Sequence, residues 1–245
     1  MEKYFFEAFR NMPRLGPGSE KSTLKALEAV PKDRELRILD VGCGVGTHTF
    51  QIAQQLPKAK ITAIDIVPDY VDTLNSLAKT LNLTDRVKGI CMSMFEMTFE
   101  SESFDVIWAE GAIYIAGFTE GLSDWKRFLK PNGLLICSEI SWLVSNPSQE
   151  VRSFWEAGYS EMATLETKLT QAEAFGYKNL SHFISPKEDW TDNYYIPLSE
   201  NLNQMKKKYC NHDIAKQVIG MLEEEIALYS KYGNEYSYVF YILQK

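Results

Sequence analysis

Between residues 36 and 140, short β-rich runs alternate with helix-period segments, and this alternation constrains the fold more than any other feature of the sequence. Neighbouring parallel strands need a long crossover, usually a helix, so the pattern points to an open α/β sheet with helices on its faces. Arg37 to Gly42 (RILDVG) reads as a first strand, followed by a helix to about Leu56 that Pro57 stops. Lys60 to Asp65 (KITAID) reads as the second strand. Pro68 then suits the first turn of a helix, where its missing N–H costs nothing. RVKGIC, FDVIWAE and GLLICSEI supply three more strands, the last introduced by the turn Lys130-Pro131-Asn132-Gly133.

Beyond residue 147 the pattern changes. Two helical stretches are expected over 148–161 and 165–176, then a strand-like KNLSHFI, then a mainly helical stretch from Trp190 to Tyr232. SYVFYILQK, rich in β-branched and aromatic residues, reads as a final strand. The connector of about 45 residues between the last two strands is too long for a plain loop and is expected to fold over one end of the sheet as a lid.

The composition, 45% hydrophobic and 24% charged, is that of an ordinary globular chain. No apolar run approaches the roughly 20 residues that span a bilayer, and the N-terminus lacks the pattern of a signal peptide. A cytoplasmic protein without a membrane partner is expected. The net charge of −7 argues against a nucleic-acid partner, which calls for a cationic face. Lys206-Lys207-Lys208 reads as a solvated helix face. Cys43, Cys91, Cys137 and Cys210 form no CxxC pair and have no histidine at zinc-finger spacing, so reduced thiols and no metal are expected.

The segment ILDVGCGVGTHTFQIA says most about function. A strand runs into Asp40, a glycine-rich turn follows, and a helix begins near Thr47. Such a turn opens a crevice at the carboxyl end of the first strand, where doubly wound α/β proteins bind ligands. Gly42, Gly44 and Gly46 would let the backbone approach a ligand closely. Dinucleotide enzymes favour G-x-G-x-x-G with a pyrophosphate at the helix N-terminus. Here Thr47 stands at the third such position, and Asp40 suits a positively charged ligand better than a pyrophosphate. Asp65, ending the next strand, is placed to accept hydrogen bonds from both hydroxyls of a ribose, which supports an adenosine ligand without separating the two cofactor classes. The same two acids also serve a turn or a helix cap.

With these residues, the sequence resembles the class I S-adenosylmethionine-dependent methyltransferases. DVGCGVG is similar to that family's first motif and ITAIDIVPDYV to its second. VKGICMSMFEMTFESESFDVIWAEGAIYIAG is similar to the adenine loop and fourth strand, and WKRFLKPNGLLICSEISW to the helix, turn and fifth strand. RLGPGS, WAEGAIY and YSKYGNEYSYVFYI are similar to a subgroup of uncharacterised prokaryotic small-molecule methyltransferases, a likeness that supplies no substrate. The resemblance implies a Rossmann-like, seven-stranded, mostly parallel sheet whose antiparallel last strand lies between strands five and six. It also implies one domain over 1–245, with a helical N-terminal flap (1–35), a cofactor-binding core (36–142) and helical acceptor-side additions (147–177 and 187–233).

The roles it implies follow residue by residue. Gly42, Gly44 and Gly46 would touch the methionine and ribose parts of S-adenosylmethionine, with Asp40 near the amino group, directly or through water. Asp65 would hold the ribose and Ile66 flank the adenine. Ser93 and Met94 stand where many relatives read the adenine amino group with an aspartate. Glu110 would face the methionine end, and Arg14 and Gly16 would contact its carboxylate, which the planar guanidinium grips bidentately. The product would be S-adenosylhomocysteine.

Methyl transfer from a sulfonium is an in-line displacement, so placement of the acceptor matters most. A base is needed only for a protonated acceptor. No catalytic residue is assigned. Tyr114, Glu139 and Trp142 are expected on the acceptor side, His48 reads as an exposed helix residue and His182 as a packed or surface one. The aromatic second half reads either as the walls of an acceptor cavity or as the lid–sheet interface. Tyr4, Phe5, Phe6 and Phe9 read as a flap over the cofactor, as core or as a dimer contact; a monomer or a homodimer is expected. The competing functions are an NAD-dependent oxidoreductase and a non-catalytic S-adenosylmethionine-binding module.

Overall fold

Alternate residues of the central strands serve two different cores, and that alternation organises the molecule. The structure is a computed structural model that describes residues 1–245. An N-terminal arm carries α1 (Glu2–Ala8) and α2 (Glu20–Ala26). The first half of the sheet then follows as β1 (Arg37–Val41), α3 (Thr47–Gln55), β2 (Lys60–Asp65), α4 (Pro68–Thr80), β3 (Val87–Cys91) and β4 (Phe104–Glu110). After it come α5 (Ile113–Ala116), α6 (Phe118–Trp125), β5 (Leu129–Trp142), α7 (Gln149–Gly158), α8 (Leu165–Ala174) and β6 (Lys178–Ile184). The chain ends with α9 (Lys187–Trp190), α10 (Ile196–Lys208), α11 (Asp213–Tyr232) and β7 (Tyr236–Gln244).

The strands form one sheet in the order β3-β2-β1-β4-β5-β7-β6. β1 pairs in parallel with both β2 and β4, so the order reverses at β1 and a crevice opens at its carboxyl end. β7 runs antiparallel between β5 and β6, as the resemblance implied. Ile38, Val106 and Trp108 pack with Phe50, Ile52 and Leu74 of α3 and α4 on one face. Their neighbours Leu39, Ile107 and Ala109 pack with Phe118, Leu122 and Trp125 of α6 on the other. A period of two sends successive side chains to opposite faces, so strands covered on both sides are apolar throughout.

The fifth strand departs from its expected start. β5 already pairs at Leu129 with Phe104, and the register shifts before Leu134 meets Val106. The Lys130-Pro131-Asn132-Gly133 segment is therefore a bulge within the strand, with Asn132 left-handed at φ 61.

The helices between β6 and β7 have a core of their own. Trp190, Tyr194, Leu198 and Leu222 meet Phe9 and Met12 of the arm, Ile140 and Trp142 of β5, and Tyr236 and Tyr238 of β7. Because β7 is antiparallel, its first residues lie beside the last residues of β5, as in the pair Trp142–Tyr236. The lid and the arm thus join at the end of the sheet where the crevice opens. Thr191–Tyr195 is a π-helical turn just ahead of Pro197, which has no N–H to offer the preceding turn. The widened turn buries both Tyr194 and Tyr195. No helix is long and apolar enough to cross a membrane.

Ile107 is fully buried in the second core, whereas Ile66 is 67% exposed beyond the end of β2. Ile107→Ala should cost about 2–5 kcal/mol, and Ile66→Ala should stay within about 0.5 kcal/mol. Urea unfolding of both variants checks the pair.

Candidate cofactor and acceptor site

A single cavity of about 880 Å³ lies at the carboxyl ends of the parallel strands, between the loop after β1, the arm and the lid. Its cofactor end is built from the loop after β1. The backbone N–H groups of Gly42 and Cys43 both donate to the Ile64 carbonyl, at 2.9 and 3.0 Å. The Gly44 N–H donates to Asp65 Oδ2 at 2.9 Å, and the Val67 N–H donates to Oδ1 at 3.0 Å. Asp65 therefore stands half-buried on the cavity, fixed by backbone donors on both sides. Ile66, Ser93 and Met94 line the wall beside it.

The three glycines do different work. Gly42 (φ +72) lines the cavity, and a Cβ there would sit 2.6 Å from the Ala112 Cβ, so the loop can pass the end of β4 only without a side chain. Gly44 also lines the cavity, facing Leu15 of the arm. Gly46 does not. A Cβ there would meet Leu74 and Phe50 at 2.9 Å, so this glycine serves the packing of α3 against α4 rather than approach to a ligand.

Asp40 also sits elsewhere than the sequence implied. It is fully buried behind the loop and does not line the cavity. Its two oxygens are taken by the His48 ring at 3.0 Å and the Thr49 hydroxyl at 2.5 Å. His48, expected to be exposed, is instead buried and lines the cavity, so any influence of Asp40 there passes through this imidazole. Burial alone would lower the imidazole pKa, but the Asp40 and Glu110 carboxylates outweigh it and raise it.

Glu110 and Arg14 come together at the same end. Arg14 donates to Glu110 Oε2 at 2.8 Å, and its second terminal nitrogen donates to Thr23 and Gln51. Glu110 Oε1 accepts from the Thr23 hydroxyl and the Trp108 indole. Burial pushes the Glu110 carboxyl up, yet His48, Arg14 and these donors hold it below its ordinary range. Gly16 lines the cavity beside Arg14. Cys43 lines it too, but burial and the nearby Asp40 and Asp65 charges keep its thiol protonated.

The far end of the cavity is apolar. Tyr114 lines it, as do Phe154, Trp155 and Tyr159 of the segment after β5, and Trp190 and Tyr194 of the lid. Phe5, Phe6 and Phe9 of the arm close it from the other side. Other candidates fall away. Trp142 is buried against Tyr236, with ring centroids 6.2 Å apart, and does not reach the cavity. His182 is exposed on β6. Glu139 points to the face of β5 opposite its neighbour Ile140, which does line the cavity.

There Glu139 forms a fully buried ion pair with Lys168 of α8, at 2.7 Å, beneath the cavity wall. The Tyr159 hydroxyl donates to the same oxygen at 2.6 Å, and the Lys168 ammonium lies 4.4 Å from the centre of the Phe118 ring. Burial and the Glu139 charge push the Tyr159 phenol up, so it remains a neutral donor. The pair holds the segment carrying Tyr159 in place.

One residue on the cavity escaped the sequence reading. Glu225 of α11 lines the apolar end, and its Oε1 accepts from the Tyr195 hydroxyl at 3.0 Å. A signal for it was available. Val218, Leu222 and Tyr229 are buried at helical spacing, and Glu225 occupies the same stripe, four residues before Tyr229 and three after Leu222.

The comparisons with known proteins bear on this arrangement. A family model described as a methyltransferase domain matches residues 32–221. The sterol 24-C-methyltransferase ERG6B of Gibberella zeae is 28% identical over 178 residues, 68% of this chain and 46% of that protein. The chain spans about half the length of the first curated relatives it matches. Among solved structures, a SAM-dependent methyltransferase from Geobacter sulfurreducens in complex with S-adenosyl-L-homocysteine superposes with a TM-score of 0.82 at 22% identity, covering 99% of this chain and 98% of that one. The [4+2]-cyclase SpnF superposes with a TM-score of 0.80 at 20% identity, covering 99% and 92%. At such identities the likeness shows the fold alone.

Removing one partner of the buried pair leaves a bare charge in the interior. Lys168→Ala should therefore cost about 3–5 kcal/mol, while the double change Lys168→Met with Glu139→Leu should recover most of that loss. Thermal or urea unfolding of the two variants reads the difference.

Proposed function

The chain belongs to the methyltransferase domain family, and on that premise we propose that it transfers a methyl group from S-adenosylmethionine to a small-molecule acceptor, releasing S-adenosylhomocysteine. The observation that carries this reading is the Asp65 carboxylate, held on the cavity by the Gly44 and Val67 N–H groups beside side-chain-free backbone at Gly42 and Gly44. The residues present fit such a cofactor. A carboxylate with lone pairs to spare suits a ribose diol. The exposed Ile66 and the Ser93–Met94 wall suit a purine. A cluster holding Glu110, Arg14 and His48 suits an amino-acid end that carries both charges.

Bound there, the cofactor supplies a methyl group already activated by its positive sulfur. The chain's own part is placement and exclusion of water. Glu110, kept ionised by its donors, would hold the ammonium group, while Arg14 and His48, whose pKa the Asp40 and Glu110 carboxylates raise, would face the carboxylate. Phe5, Phe6 and Phe9 shield the site from solvent. Tyr114, on α5 just after β4, lines the apolar end and orients the acceptor. Good orientation is worth roughly 7–11 kcal/mol of barrier in such a displacement. The apolar far end supports a largely apolar acceptor rather than a nucleic acid or a membrane surface, and the protein works in the cytoplasm.

Two measurements test this. S-Adenosylmethionine and S-adenosylhomocysteine at one hundred times their dissociation constants should each stabilise the protein by about 2.7 kcal/mol, and NAD should not. Stabilisation by NAD alone contradicts the reading. Asp65→Ala removes charged hydrogen bonds worth about 1.5–3 kcal/mol each, so titration calorimetry should show S-adenosylhomocysteine bound at least tenfold more weakly. Unchanged affinity would place the ribose elsewhere.

A further inference from the structure

The charges lining the cavity are unevenly distributed. At the cofactor end every acid is compensated within the chain: Glu110 has Arg14, Asp40, just behind the wall, has His48, and Asp65 has the Gly44 and Val67 N–H groups. At the apolar end Glu225 has neither a basic partner nor a backbone donor. Its one side-chain hydrogen bond comes from the neutral Tyr195 hydroxyl to Oε1, Oε2 has no donor, and the residue lines the cavity. Glu225 stands on the inward stripe of α11, where an apolar residue would pack without penalty. A carboxylate kept there draws its compensation from a ligand.

The surroundings select the ligand's charge. The groups facing Glu225 are phenols: Tyr195 and Tyr194 from the turn before α10, Tyr114 from α5, and Tyr236 and Tyr238 from β7. Burial raises all five, so they stay neutral in the physiological range. On α11 itself Glu224 adds a second negative charge at the rim. An anionic ligand would meet repulsion from both acids. A neutral hydroxyl would gain one hydrogen bond. A cation gains an ion pair and the aromatic faces around it, which attract positive charge.

Resting on the methyltransferase reading above, we propose that Glu225 is the recognition group for an apolar acceptor that carries a protonated amine. Burial raises the Glu225 carboxyl to about 7, with the Tyr195 hydrogen bond opposing the rise. Recognition of the amine therefore strengthens as pH rises through neutrality, because the carboxylate alone binds the cation and the amine stays protonated throughout. At pH 6 about one Glu225 in ten is ionised, so amine affinity falls about tenfold from its plateau.

The test uses phenethylamine and its neutral counterpart 2-phenylethanol, titrated into the protein saturated with S-adenosylhomocysteine between pH 5.5 and 8.5. The amine should bind at least tenfold more tightly than the alcohol at pH 8.5 and lose about tenfold by pH 6; the alcohol should bind equally throughout. In Glu225→Gln both the preference and the pH dependence should vanish. In Tyr195→Phe the carboxylate remains without its hydrogen bond, so the amine profile should move to higher pH. No preference for the amine, or a profile that survives in Glu225→Gln, overturns the proposal. S-Adenosylhomocysteine binding in the same samples separates the two readings. Retained cofactor affinity without amine preference refutes the role of Glu225 alone, whereas no cofactor binding in the unmodified protein refutes the methyltransferase reading beneath it.

Discussion

Three backbone N–H groups of the loop after β1 hang on the end of β2, and the rest of the site depends on that suspension. Gly42 and Cys43 share the Ile64 carbonyl, and Gly44 reaches the Asp65 carboxylate. The loop can hang so close only because Gly42 passes Ala112 without a Cβ. The suspension aims Asp65 at the cavity, sets the start of α3, and brings His48 onto the cavity wall. It also ties the end of β1 to the end of β2 beside the point where the strand order changes direction.

The second constraint is how the cavity is closed. The arm and the lid share one aromatic core with the ends of β5 and β7, so neither closes the crevice alone. Arg14 ties the arm to Glu110 at the end of β4, and Ser22 ties it to Asp189 of the lid at 2.5 Å. Polar closure thus concentrates at the cofactor end, and apolar closure at the other. Such a division fits a site that holds a zwitterion at one end and an apolar body at the other. It also leaves Glu225, with Glu224 at its rim, without a basic group in the chain to balance its charge.

Most of the fold was legible because its signals are local. Strand runs, Pro57 and Pro68 punctuation and the glycine turn each depend on a few neighbouring residues. The Lys130–Gly133 bulge was misjudged because a turn sequence cannot show that pairing resumes on both sides of it. The lining of the cavity was legible where backbone and motif coincide, at Gly42, Gly44, Asp65 and Glu110. It was not legible where tertiary packing decides. Asp40 is consumed by His48 and Thr49, Gly46 answers to Leu74 and Phe50, and Trp142 lies one step too far along β5 to reach the cavity. Glu139 has the right position in sequence but the wrong strand face. Glu225 is the opposite case, a charged residue whose helical stripe marks it as inward although its chemical class suggests the surface.

The central claim is that an adenosyl sulfonium lies in the crevice with its ribose on Asp65. A crystal structure of the protein with S-adenosylhomocysteine tests it most directly. The ligand should lie across Gly42 and Gly44, both ribose hydroxyls on the Asp65 carboxylate, its adenine beside Ile66 and Met94 and its amino-acid end at Glu110 and Arg14. Density for the ligand at any other site, or a crevice filled by the chain's own side chains at saturating ligand, would contradict the account.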